Sequence, residues 1–326
     1  MERILITLPL EEGEGAAFSA LAPQAELRFS TPETVGESDV LWATAILGGV
    51  PEAYVRRADR LAWLHLPSAG PDRFLAPGVL PSQVTLTSSV GAYGQAVSEH
   101  SFASLLAVMK KLTLYRDDQC ARAWRDEGPV TTLAGARVLV LGAGDLGLHF
   151  ATLCHAVGAT CLAVRRHLPG TGEEGDAYRA AFVATHLMED LPGLLPTADV
   201  VACFLPSTPQ TRGLADAAFF DAMRPGSYFV NAGRGDLVVQ DALCVALESG
   251  RLAGAALDVT TPEPLPADSR LWGQRNLLLT PHGGGFWHLP VTRRNVVRIA
   301  QDNLSRYLSG APLRNVQRAP LVSDRE

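Results

Sequence analysis

The sequence predicts an α/β protein of two domains, each built on a largely parallel sheet. Short apolar runs alternate with polar segments rich in proline and glycine over the first ninety residues or so, and a strand-like run, a glycine-rich turn and a helical pattern succeed one another at 137–155. A chain of 326 residues, 47% of them hydrophobic, is long enough to bury two cores. We expect one domain at 1–93, completed by 283–326, and a second at 94–282.

The first domain is predicted to be the smaller, a flavodoxin-like α/β domain. Its apolar runs are Ile4 to Leu8, Glu26 to Phe29, Val40 to Ala43, Leu61 to Leu66 and Val84 to Thr87. A helical pattern from Glu99 to Tyr115 leads into the second domain, and another from Leu289 to Leu308 leads back. The first domain is therefore expected to be discontinuous in sequence.

The second domain carries a glycine pattern typical of dinucleotide binding. The run Arg137 to Leu141 precedes Gly142-Ala-Gly144-Asp-Leu-Gly147, and a second strand-like run, Thr160 to Val164, follows at the spacing of a βαβ unit. Gly142 permits the tight turn, Gly144 lets the backbone approach a pyrophosphate, and Gly147 lets helix and strand pack closely. The free N–H groups at the helix start favour an anion. This pattern predicts a doubly wound Rossmann sheet that binds a dinucleotide.

The end of the second strand of this unit bears on which dinucleotide binds. An acidic residue there accepts hydrogen bonds from the adenosine ribose, whereas an arginine pairs with a 2′-phosphate. The chain reads Val164-Arg165-Arg166-His167, without an acid. Two guanidinium groups suit a phosphate, so we expect NADP(H) to be preferred. NAD(H) stays an alternative, in which one arginine is a solvated loop residue and the other stacks on adenine.

Three residues whose side chains can bind a substrate or exchange a proton each end a short apolar run further along the chain. They are Arg234 in Asn-Ala-Gly-Arg-Gly, Glu263 in Thr-Thr-Pro-Glu-Pro, and His282 in Thr-Pro-His-Gly. Ligands of open parallel sheets gather at the carboxyl ends of the strands, so we expect the three side chains at one edge. A guanidinium grips a planar carboxylate through two bonds, an imidazole exchanges a proton near neutral pH, and a carboxylate beside it favours the charged form.

In this order the motifs resemble the D-isomer-specific 2-hydroxyacid dehydrogenases, a family that includes glyoxylate/hydroxypyruvate reductases and phosphoglycerate dehydrogenases. The resemblance is specific from about 85 to 310. The motifs that carry it are Val97-Ser-Glu-His100, Gly142-Ala-Gly-Asp-Leu-Gly147, Leu205-Pro-Ser-Thr-Pro-Gln-Thr-Arg-Gly-Leu214, Met223-Arg-Pro-Gly226, Asn231-Ala-Gly-Arg-Gly235, Leu257-Asp-Val259, Glu263-Pro-Leu-Pro266 and Thr280-Pro-His282.

The resemblance implies reduction of a small 2-keto acid to a D-2-hydroxy acid with NAD(P)H. In the family the arginine binds the substrate carboxylate, the histidine is the acid/base and the glutamate pairs with it, roles that fall here on Arg234, His282 and Glu263. It also implies that the N–H groups of Ala69 and Gly70 take the second carboxylate oxygen, and that the protein is a homodimer. The implied cofactor contacts, besides the three glycines and two arginines above, are Asp145, Leu146, Pro206, Thr211, Ala232, Gly284 and Asp258, the last holding the nicotinamide amide.

Other function classes are less well supported. A formal charge of −6 gives no basic footprint for nucleic acid, no apolar stretch is suited to a membrane, and the histidines share no metal-ligand spacing. Five cysteines without paired spacing indicate a reduced, cytoplasmic protein. A non-catalytic regulatory protein that senses dinucleotide on the same fold stays open as an alternative. His100, at the start of a long apolar helix, is expected to make a structural hydrogen bond.

Overall fold

The chain folds into two compact units. A computed structural model describes residues 1–168, 173–285 and 287–318. One unit comprises Met1–Tyr93 with Trp287–Glu326, and the other comprises Gly94–Phe286. Phe286 and residues 319–326, which fall in the predicted first domain, lie outside the described residues.

The secondary structure alternates between strands and helices in both units. In the first unit the elements are β1 (Arg3–Thr7), α1 (Glu14–Leu21), β2 (Glu26–Phe29), α2 (Glu37–Trp42), β3 (Ala45–Gly48), α3 (Glu52–Val55), β4 (Trp63–His65), α4 (Asp72–Leu75) and β5 (Thr85–Thr87). The second unit contains α5 (Gly94–Met109), α6 (Leu112–Ala121), β6 (Arg137–Leu141), α7 (Asp145–Ala156), β7 (Thr160–Arg165), α8 (Glu173–Ala181), β8 (Ala184–Leu187), α9 (Leu191–Leu194), β9 (Val200–Cys203), α10 (Ala217–Ala222), β10 (Ser227–Asn231), α11 (Gln240–Glu248), β11 (Leu252–Leu257) and β12 (Leu277–Leu279). The chain then returns to the first unit with α12 (Pro290–Ser309) and β13 (Val316–Arg318).

The first unit is built on a six-stranded sheet of order β13-β5-β4-β3-β1-β2. Strands β1 to β5 pair in parallel, and β13 joins the edge antiparallel to β5. The core of this sheet is mainly apolar, with Leu5, Ile46, Leu64 and Leu86 completely buried, and His65 and Thr87 are buried at the carboxyl ends of β4 and β5. Because β4 and β5 are parallel neighbours, the loops that follow them start side by side at one edge.

The second unit is built on a seven-stranded sheet of order β12-β11-β10-β9-β6-β7-β8. Every pairing in it is parallel. The order reverses at β6, whose neighbours are β7 and β9, and such a reversal opens a crevice beyond the carboxyl ends of the strands. The predicted doubly wound Rossmann sheet, with a second α/β unit beside it in the sequence, is confirmed.

One apolar run and one predicted helix are divided in the structure. Val40, from the run Val40 to Ala43, lies in helix α2, which Asp39 caps by accepting from the Gly36 N–H at 3.3 Å, and strand β3 follows the run. The single helix predicted from Glu99 to Tyr115 is two helices, α5 and α6, broken where Lys111 adopts φ 56°. The side chains of Lys110 and Lys111 donate to the carbonyls of Thr131 and Glu127, contacts remote in sequence that set the break.

Candidate active site

The glycine-rich turn after β6 has the geometry that a dinucleotide needs. Gly142 has φ +85°, and a Cβ there would lie 2.8 Å from the Phe204 carbonyl. At Gly147 a Cβ would lie 2.6 Å from the Gly142 oxygen, so only glycine lets α7 approach β6 this closely. Gly144 caps α7, and the space beside its missing Cβ is open within 4 Å. The turn therefore presents the start of a twelve-residue helix to an anion without obstruction.

Asp145, the first residue of α7, places a carboxyl group at this turn. Its Oδ1 lies 3.5 Å from Nδ1 of His149, which also bonds the Asp145 carbonyl at 2.8 Å. Burial raises the pKa of Asp145, against the opposing effects of His149 and of the Gly94 N–H. The carboxylate is thus engaged by α7 and Gly94, and a cofactor contact at residue 145 stays a prediction.

The two arginines at the end of β7 differ in environment. Arg165 is half-buried, with its guanidinium carbon 4.8 Å from the centre of the Tyr178 ring. Arg166 is exposed in the bend that follows. A guanidinium can stack on an aromatic face, and this end of β7 carries two cations where an NAD-specific site would carry an acid.

The loop after β9 is closed by hydrogen bonds of Thr211. Its hydroxyl donates to the Pro206 carbonyl at 2.6 Å and accepts from the Thr208 N–H at 2.8 Å. A Cβ on Gly233 would lie 2.5 Å from the Leu205 oxygen, so the loops after β9 and β10 pack backbone to backbone. Pro206, Thr211 and the buried Ala232 are thereby held at the carboxyl edge of the sheet, and their contacts with the cofactor stay a prediction.

Arg234 lies in a loop that Asn231 organises. The fully buried Asn231 side chain donates to the Arg234 carbonyl at 2.9 Å and accepts from the Gly233 N–H at 3.1 Å. The half-buried Arg234 guanidinium donates to the Gly233 carbonyl at 2.7 Å. A Cβ on Gly235 would lie 1.9 Å from the Thr260 oxygen, so this glycine brings the Arg234 loop against the segment that leads to Glu263.

A buried carboxylate, Asp258, organises the loop that carries His282. Its oxygens accept from the N–H groups of Gly283 and Gly284 at 2.8 and 3.1 Å and from the Thr280 hydroxyl at 2.6 Å. Because the Thr280 hydroxyl donates to Asp258, it accepts from His100 Nε2 at 2.9 Å. His100 Nε2 also lies 3.4 Å from Asp258 Oδ1. The expected structural hydrogen bond of His100 is therefore present.

The two charges in this cluster shift each other's titration. The hydrogen bond to Asp258 raises the pKa of His100 above its ordinary value. Burial acts to raise the pKa of Asp258, but the hydrogen bonds from His100 and Thr280 outweigh it, and that pKa is lowered. Each group therefore favours the charged form of the other next to the His282 loop.

Glu263 and His282 form a hydrogen-bonded pair. Glu263 Oε2 lies 3.0 Å from His282 Nδ1, while Oε1 accepts from the Thr260 N–H at 3.0 Å. His282 has φ 56°, and its own N–H donates to the Asp258 carbonyl at 2.7 Å. Among the described residues His282 Nε2 has no hydrogen-bond partner, and 46% of the side chain is exposed. One ring nitrogen is thus oriented by a carboxylate and the other is open to a ligand.

All three catalytic candidates belong to the second unit, whereas Ala69 and Gly70 lie in the first, in the loop after β4. Sequence reasoning did not single out Asn231 and Thr280, which shape the two loops. Both lie in motifs given above. Asn231 is a buried amide that ends a strand, and Thr280 carries a hydroxyl next to Pro-His. Within the described ranges, no cluster of three His, Cys, Asp or Glu is suited to a metal ion, and no helix has the length and apolarity to cross a membrane.

Comparison with known proteins places these residues in a family context. Residues 102–284 match the family model for the D-isomer specific 2-hydroxyacid dehydrogenase, NAD binding domain. The chain is 31% identical to glyoxylate/hydroxypyruvate reductase B of Citrobacter koseri over 295 residues, covering 87% of this chain and 88% of that one.

Solved structures similar to this chain include members of the same family. A D-isomer specific 2-hydroxyacid dehydrogenase family protein from Aeromonas salmonicida superposes with a TM-score of 0.82 at 30% identity, covering 97% of this chain and 99% of that one. The NADPH-dependent glyoxylate/hydroxypyruvate reductase of Sinorhizobium meliloti, in complex with NADP and sulfate, superposes with a TM-score of 0.75 at 26% identity, covering 97% and 98%. The similarity therefore extends over both units.

Proposed function

The chain belongs to the D-isomer specific 2-hydroxyacid dehydrogenase family, and we propose that it reduces a small 2-keto acid with NADPH, using Arg234, Glu263 and His282. Family membership confirms the resemblance predicted from the motifs, and the protein is an NAD(P)-dependent oxidoreductase. The observation that carries the residue assignment is the His282–Glu263 pair, 3.0 Å apart, with the second nitrogen of the imidazole open.

The proposed chemistry adds a hydride and a proton across the keto group. NADPH, when bound, supplies the hydride to the carbonyl carbon. His282 gives the proton from Nε2 to the carbonyl oxygen, because Glu263 holds Nδ1 and leaves Nε2 open to the substrate. Arg234 grips the substrate carboxylate, which fixes the carbonyl face that is presented. We assign the second carboxylate oxygen to the N–H groups of Ala69 and Gly70.

The cofactor preference is proposed to be NADP(H) over NAD(H). The supporting features are Arg165 and Arg166 at the end of β7, the absence of an acid from Val164 to His167, and the NADP complex of the Sinorhizobium meliloti relative. The residues fit the dinucleotide as a whole, because Gly144 leaves the start of α7 open. We place further cofactor contacts at Leu146, Pro206, Thr211, Ala232, Asp258 and Gly284.

We further propose a homodimer formed through the nucleotide-binding unit. The support is a group of exposed apolar side chains between α6 and β6 and on α6 itself: Leu112, Tyr115, Trp124 and Val130. Exposed apolar side chains that form one patch mark protein–protein interaction sites. We also propose a cytoplasmic location, since all five cysteines are free and four of them are buried.

The experiment is a spectrophotometric assay with purified protein. NADPH and NADH are each tested against glyoxylate, hydroxypyruvate and bulkier 2-keto acids, and oxidation is followed at the reduced nicotinamide band. We expect oxidation with a small keto acid and a higher kcat/KM for NADPH. Tight NADPH binding without oxidation of any keto acid would instead support the dinucleotide-sensing alternative and overturn the proposal.

A further inference from the structure

In the loop after β4, residues 66–70, the carbonyls of Leu66, Pro67, Ser68 and Gly70 accept hydrogen bonds, and the Leu66 N–H donates to the Thr87 carbonyl. The carbonyl partners are the Ser89 hydroxyl on Leu66 at 2.9 Å, the Tyr93 hydroxyl on Pro67 at 2.7 Å, the Ser89 N–H on Ser68 at 3.0 Å and the Ser68 hydroxyl on Gly70 at 2.8 Å. Among the described residues, no acceptor is bound to the N–H groups of residues 68 to 70. In a trans peptide unit the N–H of the next residue points opposite to the carbonyl, so the bonds to the Pro67 and Ser68 carbonyls fix the N–H groups of Ser68 and Ala69.

A buried series of hydrogen bonds determines which group donates and which accepts in the contact between Ser89 and Leu66. The Trp63 indole, a donor only, donates to Thr87 Oγ1 at 2.9 Å, so the Thr87 hydroxyl is free to donate to His65 Nδ1 at 2.9 Å. His65 therefore carries its proton on Nε2 and donates to Ser89 Oγ at 3.2 Å. The Ser89 hydroxyl in turn donates to Leu66.

The side chains that form this series of hydrogen bonds are completely inaccessible to solvent: Trp63, Thr87, His65 and Ser89. Burial lowers the pKa of His65 to about 3, so the imidazole is neutral and its role as acceptor and donor persists across the working pH range. Burial also raises the pKa of Tyr93, which keeps its hydroxyl a donor. The loop is thus held by groups whose protonation does not change between pH 5 and 9.

We infer that Ser89, backed by His65, together with Tyr93, are positioning residues that aim the N–H groups of residues 68–70 at the substrate carboxylate. The inference rests on the proposed function, in which that loop takes one carboxylate oxygen. These residues touch the loop carbonyls and not the reacting atoms, so they act on substrate affinity. The catalytic pair, Glu263 and His282, is in the other unit and keeps its own contacts.

Ser88 provides a matched control for Ser89. Both serines are completely buried, but the Ser88 hydroxyl accepts from Gln317 Nε2 at 3.0 Å, towards β13, and makes no bond to the loop. We expect Ser89→Ala to raise KM for the keto acid roughly tenfold, the effect of one misplaced hydrogen bond, with kcat and the Kd for NADPH within about twofold. Ser88→Ala should leave KM unchanged. Ser89→Ala loses two hydrogen bonds and Ser88→Ala loses one, so we expect the larger loss of thermal stability in Ser89→Ala.

Tyr93→Phe tests the same inference if Ser89→Ala does not fold, because it removes only a hydroxyl. It should raise KM for the keto acid and weaken binding of oxamate to the NADPH complex by a similar factor. If the KM values of Ser89→Ala and Tyr93→Phe are within twofold of the KM of Ser88→Ala, the inference about positioning is overturned, but the proposed function is not. A wild-type protein that binds NADPH yet reduces no keto acid would overturn the proposed function itself.

Discussion

Gly235 is the position where one added methyl group should disrupt the whole proposed site. A Cβ there would lie 1.9 Å from the oxygen and 2.1 Å from the carbon of the Thr260 carbonyl, both backbone atoms that no side-chain rotation relieves. Ordinary contact begins at 3.4 Å, so the two segments must separate by about 1.5 Å. Arg234 lies on one of these segments, and Thr260, whose N–H holds Glu263, lies on the other.

We therefore expect Gly235→Ala to lower kcat/KM for the keto acid by about 100-fold or more, since a misplacement of about 1 Å at a reacting group has that effect. Overpacking against rigid backbone should cost about 3 kcal/mol, which lowers Tm by roughly 6–12 °C for a unit of this size. The Kd for NADPH should change much less, because the turn at Gly142 to Gly147 is a separate loop.

Gly193→Ala is the control for this experiment. Gly193 lies in helix α9 of the same unit, and nothing is within 4 Å of the position its Cβ would take. We expect it to leave activity unchanged and stability unchanged or slightly higher. The assays are steady-state kinetics, fluorescence titration with NADPH and thermal unfolding. A Gly235→Ala protein with kcat/KM within about threefold of wild type would refute the close approach of the two loops as a requirement.

Three further predictions concern the cofactor, pH and assembly. Arg166→Ala should raise KM for NADPH roughly tenfold and leave KM for NADH unchanged; equal changes for both cofactors would refute phosphate recognition. Asp258 raises the pKa of His100. The interaction between them therefore stabilises the fold fully below about pH 6.5, and this stabilisation is lost as pH rises through the higher pKa that His100 has in the folded state. The difference in Tm between wild type and His100→Gln should therefore be largest near pH 6 and shrink by pH 9, and a constant difference would contradict this. Trp124→Asp should shift the mass measured by light scattering from dimer to monomer, and a wild-type protein that is already monomeric would contradict the proposed assembly.

The sequence was most informative where residues come after apolar strands. Arg234, Glu263 and His282 come after β10, β11 and β12, and parallel strands bring the residues after their carboxyl ends to one edge of a sheet. The edge could therefore be predicted without coordinates. The pairing of Glu263 with His282 was implied by the family resemblance. The contacts that set its geometry, the Thr260 N–H on Glu263 and the φ of 56° at His282, could not be predicted from the sequence.

Contacts between distant segments account for what the sequence did not predict. The helical pattern runs on through Lys111, and the break there is set by bonds to residues 127 and 131. The sequence shows a glycine at 235, but it does not show that the Thr260 backbone packs against it. His65 had no pattern to mark it, since its partners Thr87 and Ser89 lie on the neighbouring strand and its loop.

The central claim is that His282 donates the proton in keto acid reduction. The most direct test is single-turnover oxidation of NADPH by the His282→Ala protein with saturating keto acid, with the Kd for NADPH measured in parallel. We predict a rate lower by about 10²- to 10⁴-fold, the usual contribution of a positioned acid, and a Kd within about twofold of wild type. A single-turnover rate near that of wild type would contradict the assignment of His282 as the acid.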